Sequence, residues 1–599
     1  MRADPPAVFV DASSIPNLNH LWAKLLVDEL VRQGVGLFVV CPGSRSTPLA
    51  AAVAEAKDVE VVVHWDERAA AFVALGWGRA TGRPAAVITT SGTAVANLLP
   101  AAVEADADGV PMLLLTADRP PELRETGANQ TIRQPPIFQD VSRWSLDWPV
   151  PTTDVPARWV LSTAAHAVHR SLDPPGPVHL NLPFREPLGR QPDGVDMSAY
   201  LAEIERWREG DQPHNEASSL VRQPDHVDAD ELDPDLVIRI ARAERGLVVA
   251  GAMEDESPAR RLARELGWPL LPDVRSGLRL SESDGGVLNV DLALTSSRLR
   301  AMAPDAVIHL GGGLVSKRLG QFLAAARPET YVRVHATPAR SDPDSIVTDW
   351  LRVAPSEGAA ALEGAVGRVA SSWRERWQAA SEAVESALVD IEGEPGVARA
   401  CSQLIPKGGT LVAAASMPIR DVDAYAVSTG AARRVIANRG ASGIDGTVAT
   451  AHWVARGTRQ PVVLLIGDLA LLHDQTSLAL LREGPPVVVV VINNDGGGIF
   501  HRLPIADGPG ELAPDIFERF FGTPHGLGFE HAARQVGLAY HAPTTHSAFK
   551  LALDTALQSG ASALIEVRTD REEQAALRRQ LEADVAEAVD RALADLGGS

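Results

Sequence analysis

Cysteine is nearly absent from this chain. Only Cys41 and Cys401 stand among 599 residues, too few for a disulfide framework or a Cys-rich zinc site, and they fit a reducing compartment, so a cytoplasmic location is expected. Positive charge is also in deficit. Lys and Arg number 56 against 77 Asp and Glu, a net charge of −21, and such a field repels a polyanionic backbone, which excludes nucleic acid as the main partner. No stretch approaches 18 uninterrupted apolar residues, and the opening MRADPPAVFVDASSIPN has no basic segment leading into a long apolar core. Neither membrane insertion nor a targeting segment is therefore expected. What is present is an ordinary globular composition, 45% hydrophobic and 22% charged. It can bury sizeable cores without staples, and at roughly 100 to 200 residues per domain it divides into about three or four domains.

Short apolar runs alternate with helical patterns in three series. Strands are expected at 37–41, 59–64, 84–90 and 111–118, again at 246–252, 268–273, 306–312 and 330–336, and again at 410–416, 433–438, 461–468, 485–495 and 562–569. Continuous apolar strands of this kind belong to parallel sheets covered on both faces, so the fold class is α/β with three doubly wound parallel-sheet domains. The polar, acidic stretch between Glu203 and Asp235 suggests a surface linker. Domains are accordingly expected at 1–200, 236–395 and 396–599, with a linker over 201–235. Within that linker DADELDPD lacks the central Gly and terminal Glu of a calcium loop. The charged pattern after Arg571 predicts a solvated terminal helix.

Two strand ends carry the chemistry. Gly467-Asp468 closes the run PVVLLI and Asn493-Asn494 closes VVVVVI, with Asp468 and Asn494 separated by 26 residues. Open α/β sheets bind ligands at that edge, and an Asp, an Asn oxygen and a backbone carbonyl are hard ligands suited to Mg²⁺, with a diphosphate able to complete the shell. Gly496, Gly497 and Gly498 would let the backbone approach that ligand closely. Taken alone, either half reads as an ordinary Asn- and Gly-rich turn; both together, each closing a strongly apolar strand, point to a site. In the first series Glu67, within VVVHWDERAAAF, stands at a strand-to-helix junction. Alone it reads as a first-turn acid complementing the helix dipole.

The paired motif GDLALLHD through VVINND resembles the signature of the thiamin diphosphate-dependent enzymes, with Leu469 where many members have Gly. The resemblance implies metal ligation by Asp468, Asn494 and the carbonyl of Gly496, with Mg²⁺ as the ion and Mn²⁺ as the alternative. Gly467, Leu469, Gly92 and Thr93 would contact the cofactor, and the Glu67 carboxyl would hydrogen-bond its aminopyrimidine ring. The first domain would thus bind the pyrimidine and the third the diphosphate and metal. Further strings are similar to one family within that class, the 2-succinyl-5-enolpyruvyl-6-hydroxy-3-cyclohexene-1-carboxylate synthases of menaquinone biosynthesis, or MenD family: CPGSRSTPLA, TTSGTAVANLLPA, TADRPPEL, GANQTI, SKRL and NRGASGIDGT.

That family joins 2-oxoglutarate to isochorismate with loss of carbon dioxide, and the two substrates bring four carboxylates, which call for several cations. By resemblance Ser416 and Arg420 would hold the distal carboxylate of 2-oxoglutarate. Arg439 would face the cofactor-bound adduct. Ser44, Arg45, Arg119, Asn129, Gln130, Lys317 and Arg318 would serve isochorismate, Gln130 through its side-chain amide. Ile444 would brace the bent cofactor, and Ile499, Phe500 and Leu503 would form an apolar wall. The catalytic set is then Glu67, Arg439 and Gln130. The resemblance also implies a homodimer or homotetramer with the site at a subunit interface. Another thiamin diphosphate carboligase or decarboxylase, or a catalytically silent binding subunit of the same fold, stand as alternatives.

Overall fold

Apolar runs become strands where both faces find cover, and three such sheets form. The computed structural model describes residues 15–215, 229–253, 255–281, 286–337, 341–365, 372–429, 434–508 and 510–597. The first sheet contains β1 (Leu37–Val40), β2 (Glu60–Val63), β3 (Ala85–Thr89), β4 (Met112–Asp118), β5 (Trp144–Asp147) and β6 (Pro177–Pro183), all parallel, in the order β2-β1-β3-β4-β6-β5. Alternate residues face opposite layers. Phe38, Val40, Ile88 and Leu115 pack with Trp22, Leu26 and Leu161 on one side, while Leu37, Val39, Val87 and Leu114 pack with Phe72, Ala101 and Trp453 on the other.

The second sheet runs through β7 (Gly246–Ala250), β8 (Leu270–Pro272), β9 (Ala306–Leu310), β10 (Thr330–Val334) and β11 (Asp349–Leu351), in the order β11-β10-β9-β7-β8. The third contains β12 (Thr410–Ala413), β13 (Arg434–Ile436), β14 (Val462–Gly467), β15 (Val487–Asn493), β16 (Ala539–His541) and β17 (Ala563–Arg568), in the order β13-β12-β14-β15-β17-β16. Numbered within itself, the third sheet repeats the strand order of the first. Both therefore reverse direction between their first and third strands, and that crevice is where doubly wound sheets bind ligands.

The chain forms two compact units. One comprises Met1–Leu220, Asn438–Arg459 and His473–Gly484; the other comprises Val221–Ala437, Gln460–Leu472 and Pro485–Ser599. The boundaries read from composition therefore differ from the spatial ones, because two segments of the expected third domain fold into the first unit. Helix Thr447–Thr458 is held there by close approach to helix Glu67–Thr81: a Cβ at Gly76 would lie 2.7 Å from the Thr450 carbonyl oxygen, and one at Gly446 would overlap the Phe72 ring.

Two surface expectations are corrected. Residues 201–215 do not form a solvated linker: Leu201, Ile204 and Trp207 enter the first core, the Trp207 indole donates to Glu29 at 2.7 Å, and the Arg32 guanidinium lies 3.9 Å from its ring centre. A few apolar anchors suffice where the rest of a stretch is polar. Residues 216–228 of the expected linker lie outside the described residues, while Pro234–Arg242 is already helix. The terminal helix Arg571–Gly597 is not merely solvated either. Leu581, Val585 and Val589, spaced four apart, are buried with Trp377 and Val384. That stripe is too narrow to register in a highly charged pattern.

Candidate active site

In the first unit the ends of β1, β3 and β4 converge. Arg45 follows β1 and is 6% exposed; it donates to the Phe184 carbonyl at 2.9 Å, lies 3.6 Å from the exposed Glu186, and its Nε is buried without an acceptor. Burial, and then the adjacent Arg119, push the Arg45 guanidinium below its usual range. Arg119, at the end of β4, donates to Ser91 Oγ, and Gln130 Nε2 donates to the Ser91 carbonyl at 2.9 Å. Gly92 has φ +83° and donates to Gln134 at 3.3 Å, and a Cβ there would press on Gln130 at 2.8 Å. Ser44, Thr93, Asn129 and Gln130 are exposed. Two guanidinium groups that feel each other's charge, one of them with an unfilled donor, suit carboxylates.

Glu67 opens helix Glu67–Thr81, with Asp66 as its N-cap accepting from the Arg68 and Ala69 amides. It is half-buried and accepts from Asn97 Nδ2 at 3.2 Å. Asp66 in turn accepts from Thr476 Oγ1 at 2.7 Å, and Arg68 donates to the His473 carbonyl. The junction is therefore fixed on both sides of the carboxylate. His64, given no role from sequence, is buried and accepts from the Asp66 amide at 3.0 Å, as a strand-end packing residue does.

Arg439 and Ile444, both half-buried, belong to the segment between Asn438 and Gly446 in the same unit. That segment is gripped by Glu104, which sequence reasoning missed. The Glu104 carboxylate accepts from the amides of Gly440 (2.8 Å), Ala441 (2.7 Å) and Ser442 (3.2 Å) and from Arg79 at 2.6 Å.

In the second unit Asp468 follows β14 and Asn494 follows β15. Asp468 is 2% exposed, and its carboxylate accepts from the Leu469 amide at 2.6 Å and the Gly496 amide at 2.9 Å. Burial raises its pKa against those hydrogen bonds. Asn494 Nδ2 donates to Glu394 at 2.9 Å, which turns Oδ1 away, buried and without a hydrogen-bond partner. An orphaned amide oxygen beside a buried carboxylate suits a hard divalent cation. No cluster of three or more His, Cys, Asp or Glu side chains arranged for a metal occurs among the described residues, so an ion here would need amide and carbonyl oxygens beside the Asp468 carboxylate. Glu394 is itself anchored by Thr569 at 2.8 Å and by Arg578 at 2.8 Å, and Arg578 also pairs with Asp421 at 2.6 Å.

The glycine run also has a packing cause within the chain. A Cβ at Gly496 or Gly497 would collide with the carbonyls of Gly522 and Phe521, so the close neighbour is another loop of the chain, and only Gly496 has positive φ, +135°. That loop delivers His525, also missed from sequence. Its Nδ1 accepts from the Leu527 amide at 3.0 Å, which places the ring proton on Nε2, 3.2 Å from Asp468 Oδ2. The string GTPHGLGF contains a turn signal but nothing that ties the ring to Asp468, 57 residues earlier.

Ser416 follows β12 with φ +71°, and Arg420 donates to its carbonyl. Gln130, Ser442 and Asp495 also hold positive φ, at +58°, +62° and +60°, and strain of this kind gathers at functional loops. Burial and then Arg502 lower the Arg420 pKa. Arg502 was not singled out from sequence; it shares Glu582 with Arg318, at 2.7 and 2.6 Å, and Arg318 also pairs with Asp291 at 2.8 Å. Lys317 is exposed. Ile499 and Phe500 are half-buried on the turn Gly498–Arg502, Leu503 is exposed, and Phe500 packs edge-on to Phe521.

Three doubly wound sheets, with acid and cation groups at their carboxyl ends, define a cofactor-dependent enzyme of the thiamin diphosphate class. Family models agree: "Thiamine pyrophosphate enzyme, N-terminal TPP binding domain" matches 22–137, "Middle domain of thiamine pyrophosphate" matches 198–412, and "Thiamine pyrophosphate enzyme, C-terminal TPP binding domain" matches 423–567. Similar proteins named 2-succinyl-5-enolpyruvyl-6-hydroxy-3-cyclohexene-1-carboxylate synthase occur in Rubrobacter xylanophilus (53% identical, covering 94% of this chain and 98% of that one), Salinibacter ruber (48%, covering 96% and 98%) and Chlorobium phaeovibrioides (42%, covering 95% and 97%). The chain belongs to this synthase family of thiamin diphosphate enzymes.

Proposed function

We propose that this protein decarboxylates 2-oxoglutarate and adds the resulting succinyl unit to isochorismate, releasing carbon dioxide and 2-succinyl-5-enolpyruvyl-6-hydroxy-3-cyclohexene-1-carboxylate for menaquinone biosynthesis. The observation that carries this reading is Arg45, buried at the end of β1 with an unfilled donor and within reach of the charge of Arg119 at the end of β4, in a chain of net charge −21. Arg45 has the exposed Glu186 as a partner at 3.6 Å, and with its free donor it suits a further anionic ligand; isochorismate brings two carboxylates. The names of the relatives support the same reaction.

Thiamin diphosphate, when bound, supplies the electron sink that accepts the pair released on decarboxylation. Glu67 holds a proton against the aminopyrimidine ring, from a helix start that its neighbours keep rigid. Asp468, Asn494 Oδ1 and the Gly496 carbonyl hold Mg²⁺, or Mn²⁺, with Gly467 and Leu469 beside them and Gly92 and Thr93 on the pyrimidine side. Ser416 and Arg420 anchor the distal carboxylate of 2-oxoglutarate, Arg439 faces the reacting carbons, and Ile444, Ile499, Phe500 and Leu503 exclude water. Ser44, Arg45, Arg119, Asn129, Gln130, Lys317 and Arg318 orient isochorismate. Positioning of the two acids can contribute several kcal/mol. The protein acts in the cytoplasm as a homo-oligomer whose site is completed at a subunit interface.

Incubating the protein with Mg²⁺, thiamin diphosphate and 2-oxoglutarate, with and without isochorismate, tests the reading through carbon dioxide release and product mass. Fast release only with isochorismate, together with the succinyl adduct, is expected. Release without isochorismate and no adduct would make it a simple decarboxylase, and no reaction with cofactor verifiably bound would overturn the reading.

A further inference from the structure

Glu104 lies on helix Leu99–Asp108, 2% exposed, and the backbone amides it holds are more than 330 residues away in sequence. Three successive backbone N–H groups, from Gly440, Ala441 and Ser442, close on its two oxygens, and Arg79 adds a fourth donor. Consecutive amides facing one point form an anion-binding nest; here a side chain of the protein fills it. Arg79 extends the grip, pairing with Asp108 at 2.5 Å and donating to Asn438 Oδ1 at 3.2 Å, while Asn438 donates to Thr450 at 3.1 Å.

The contact is close as well as polar. A Cβ at Gly440 would sit 2.7 Å from the Glu104 carbonyl and 3.0 Å from the Ala107 side chain. Ser442 is held at φ +62°, a conformation a free loop would relax. At the other end of the segment Asp474, fully buried, accepts from the amides of Val448 (2.7 Å) and Ala449 (3.3 Å). The stretch bearing Arg439 and Ile444 is thus an arch with a buried carboxylate under each end.

We propose that Glu104 is a positioning residue: its carboxylate, through the three amides, sets the backbone from which Arg439 and Ile444 reach the reaction. This rests on the roles given to those two residues under the proposed function. An amide in place of the carboxylate turns one acceptor into a donor facing an N–H, and an aspartate withdraws the acceptor by one methylene.

Glu104→Gln, with Glu104→Asp as the milder variant should the first not fold, is compared with Asp106→Asn, which removes a charge on the same helix that pairs with Arg143 instead. Hydrogen–deuterium exchange of the 438–446 peptide, kcat, and KM for each substrate are read on the full-length protein. Expected for the Glu104 variants are exchange at least tenfold faster across 440–442 and kcat at least tenfold lower, with KM for isochorismate within twofold; Asp106→Asn changes neither exchange nor kcat. Unchanged exchange, or faster exchange with kcat within twofold of the parent, would overturn the proposal. If the parent itself makes no adduct, the proposed reaction fails while the exchange measurement still decides whether Glu104 holds the arch.

Discussion

Glu67 and Glu104 show how differently two carboxylates can be read. Glu67 was visible because a strand end, an N-cap and an acid follow one another in sequence, so its place at a sheet edge needs only local information. Its expected role makes a sharp prediction. Glu67→Gln keeps the shape and the Asn97 contact but cannot exchange a proton, so turnover should fall about 10²- to 10⁴-fold, the usual range for a lost acid–base group. Steady-state assay, with cofactor binding checked by calorimetry, measures it; turnover equal to the parent's would remove Glu67 from the mechanism. Glu104 was invisible for the opposite reason. In LLPAAVEADADG it is one acid among several, and only the fold brings the amides of Gly440 to Ser442 onto it. Arg45 and Arg119 fall between these cases: the strings around them were legible, but the pairing of the two guanidinium groups and the orphaned Nε of Arg45 required the sheet.

At the scale of elements, strands were the easiest to find. Runs such as VVVVVIN have few alternatives to a doubly covered strand, and β15 covers Val487–Asn493 accordingly. Edge strands β5, β11 and β16 were missed because residues such as Trp144–Asp147 and Asp349–Leu351 are short and only half-buried, and the fully buried β6, Pro177–Pro183, was missed because two prolines, His179 and Asn181 break up its apolar run. The terminal helix was misjudged because three buried aliphatic residues are diluted among charges. Helix crossings are less legible still, since a glycine gives no sign of what it abuts. Gly446 combines φ +62° with a Phe72 ring in the space a methyl would need. Gly446→Ala should therefore cost about 3 kcal/mol or more, from overpacking and from the left-handed backbone together. Urea unfolding followed by circular dichroism would register it, and a loss below about 1 kcal/mol would mean that the two helices can slide apart.

At the scale of the molecule, the first unit contains two histidines that burial keeps neutral. His179, between Thr116 at 2.7 Å and Ser145 at 3.1 Å, is pushed down to about 3, and His452 to about 4. An unfolded chain protonates both near pH 6.5, whereas the folded unit resists until these lower values, so between them the unfolded state binds more protons and stability falls as pH falls. At 1.36 kcal/mol per unit the two groups oppose folding by about 5 and about 3 kcal/mol once pH drops below their folded values. The urea midpoint should decline steadily from pH 6.5 towards pH 4, and His179→Asn should flatten that decline; equal slopes for both proteins would show that His179 takes up its proton as readily in the fold as in the unfolded chain.

The shared strand order of the first and third sheets has a consequence for how such a protein can change. The same strand order occurs twice, and what distinguishes the two sheets is what hangs from the strand ends: Arg45, Arg119 and the helix-borne Glu67 on one, Asp468, the Asn494 amide and Arg420 on the other. The framework is indifferent to the sign of charge it displays. Substitutions confined to those tips can therefore alter what is recognised while the hydrogen-bonded ladders beneath go untouched, and a lineage can wander in substrate preference without ever passing through an unfolded ancestor.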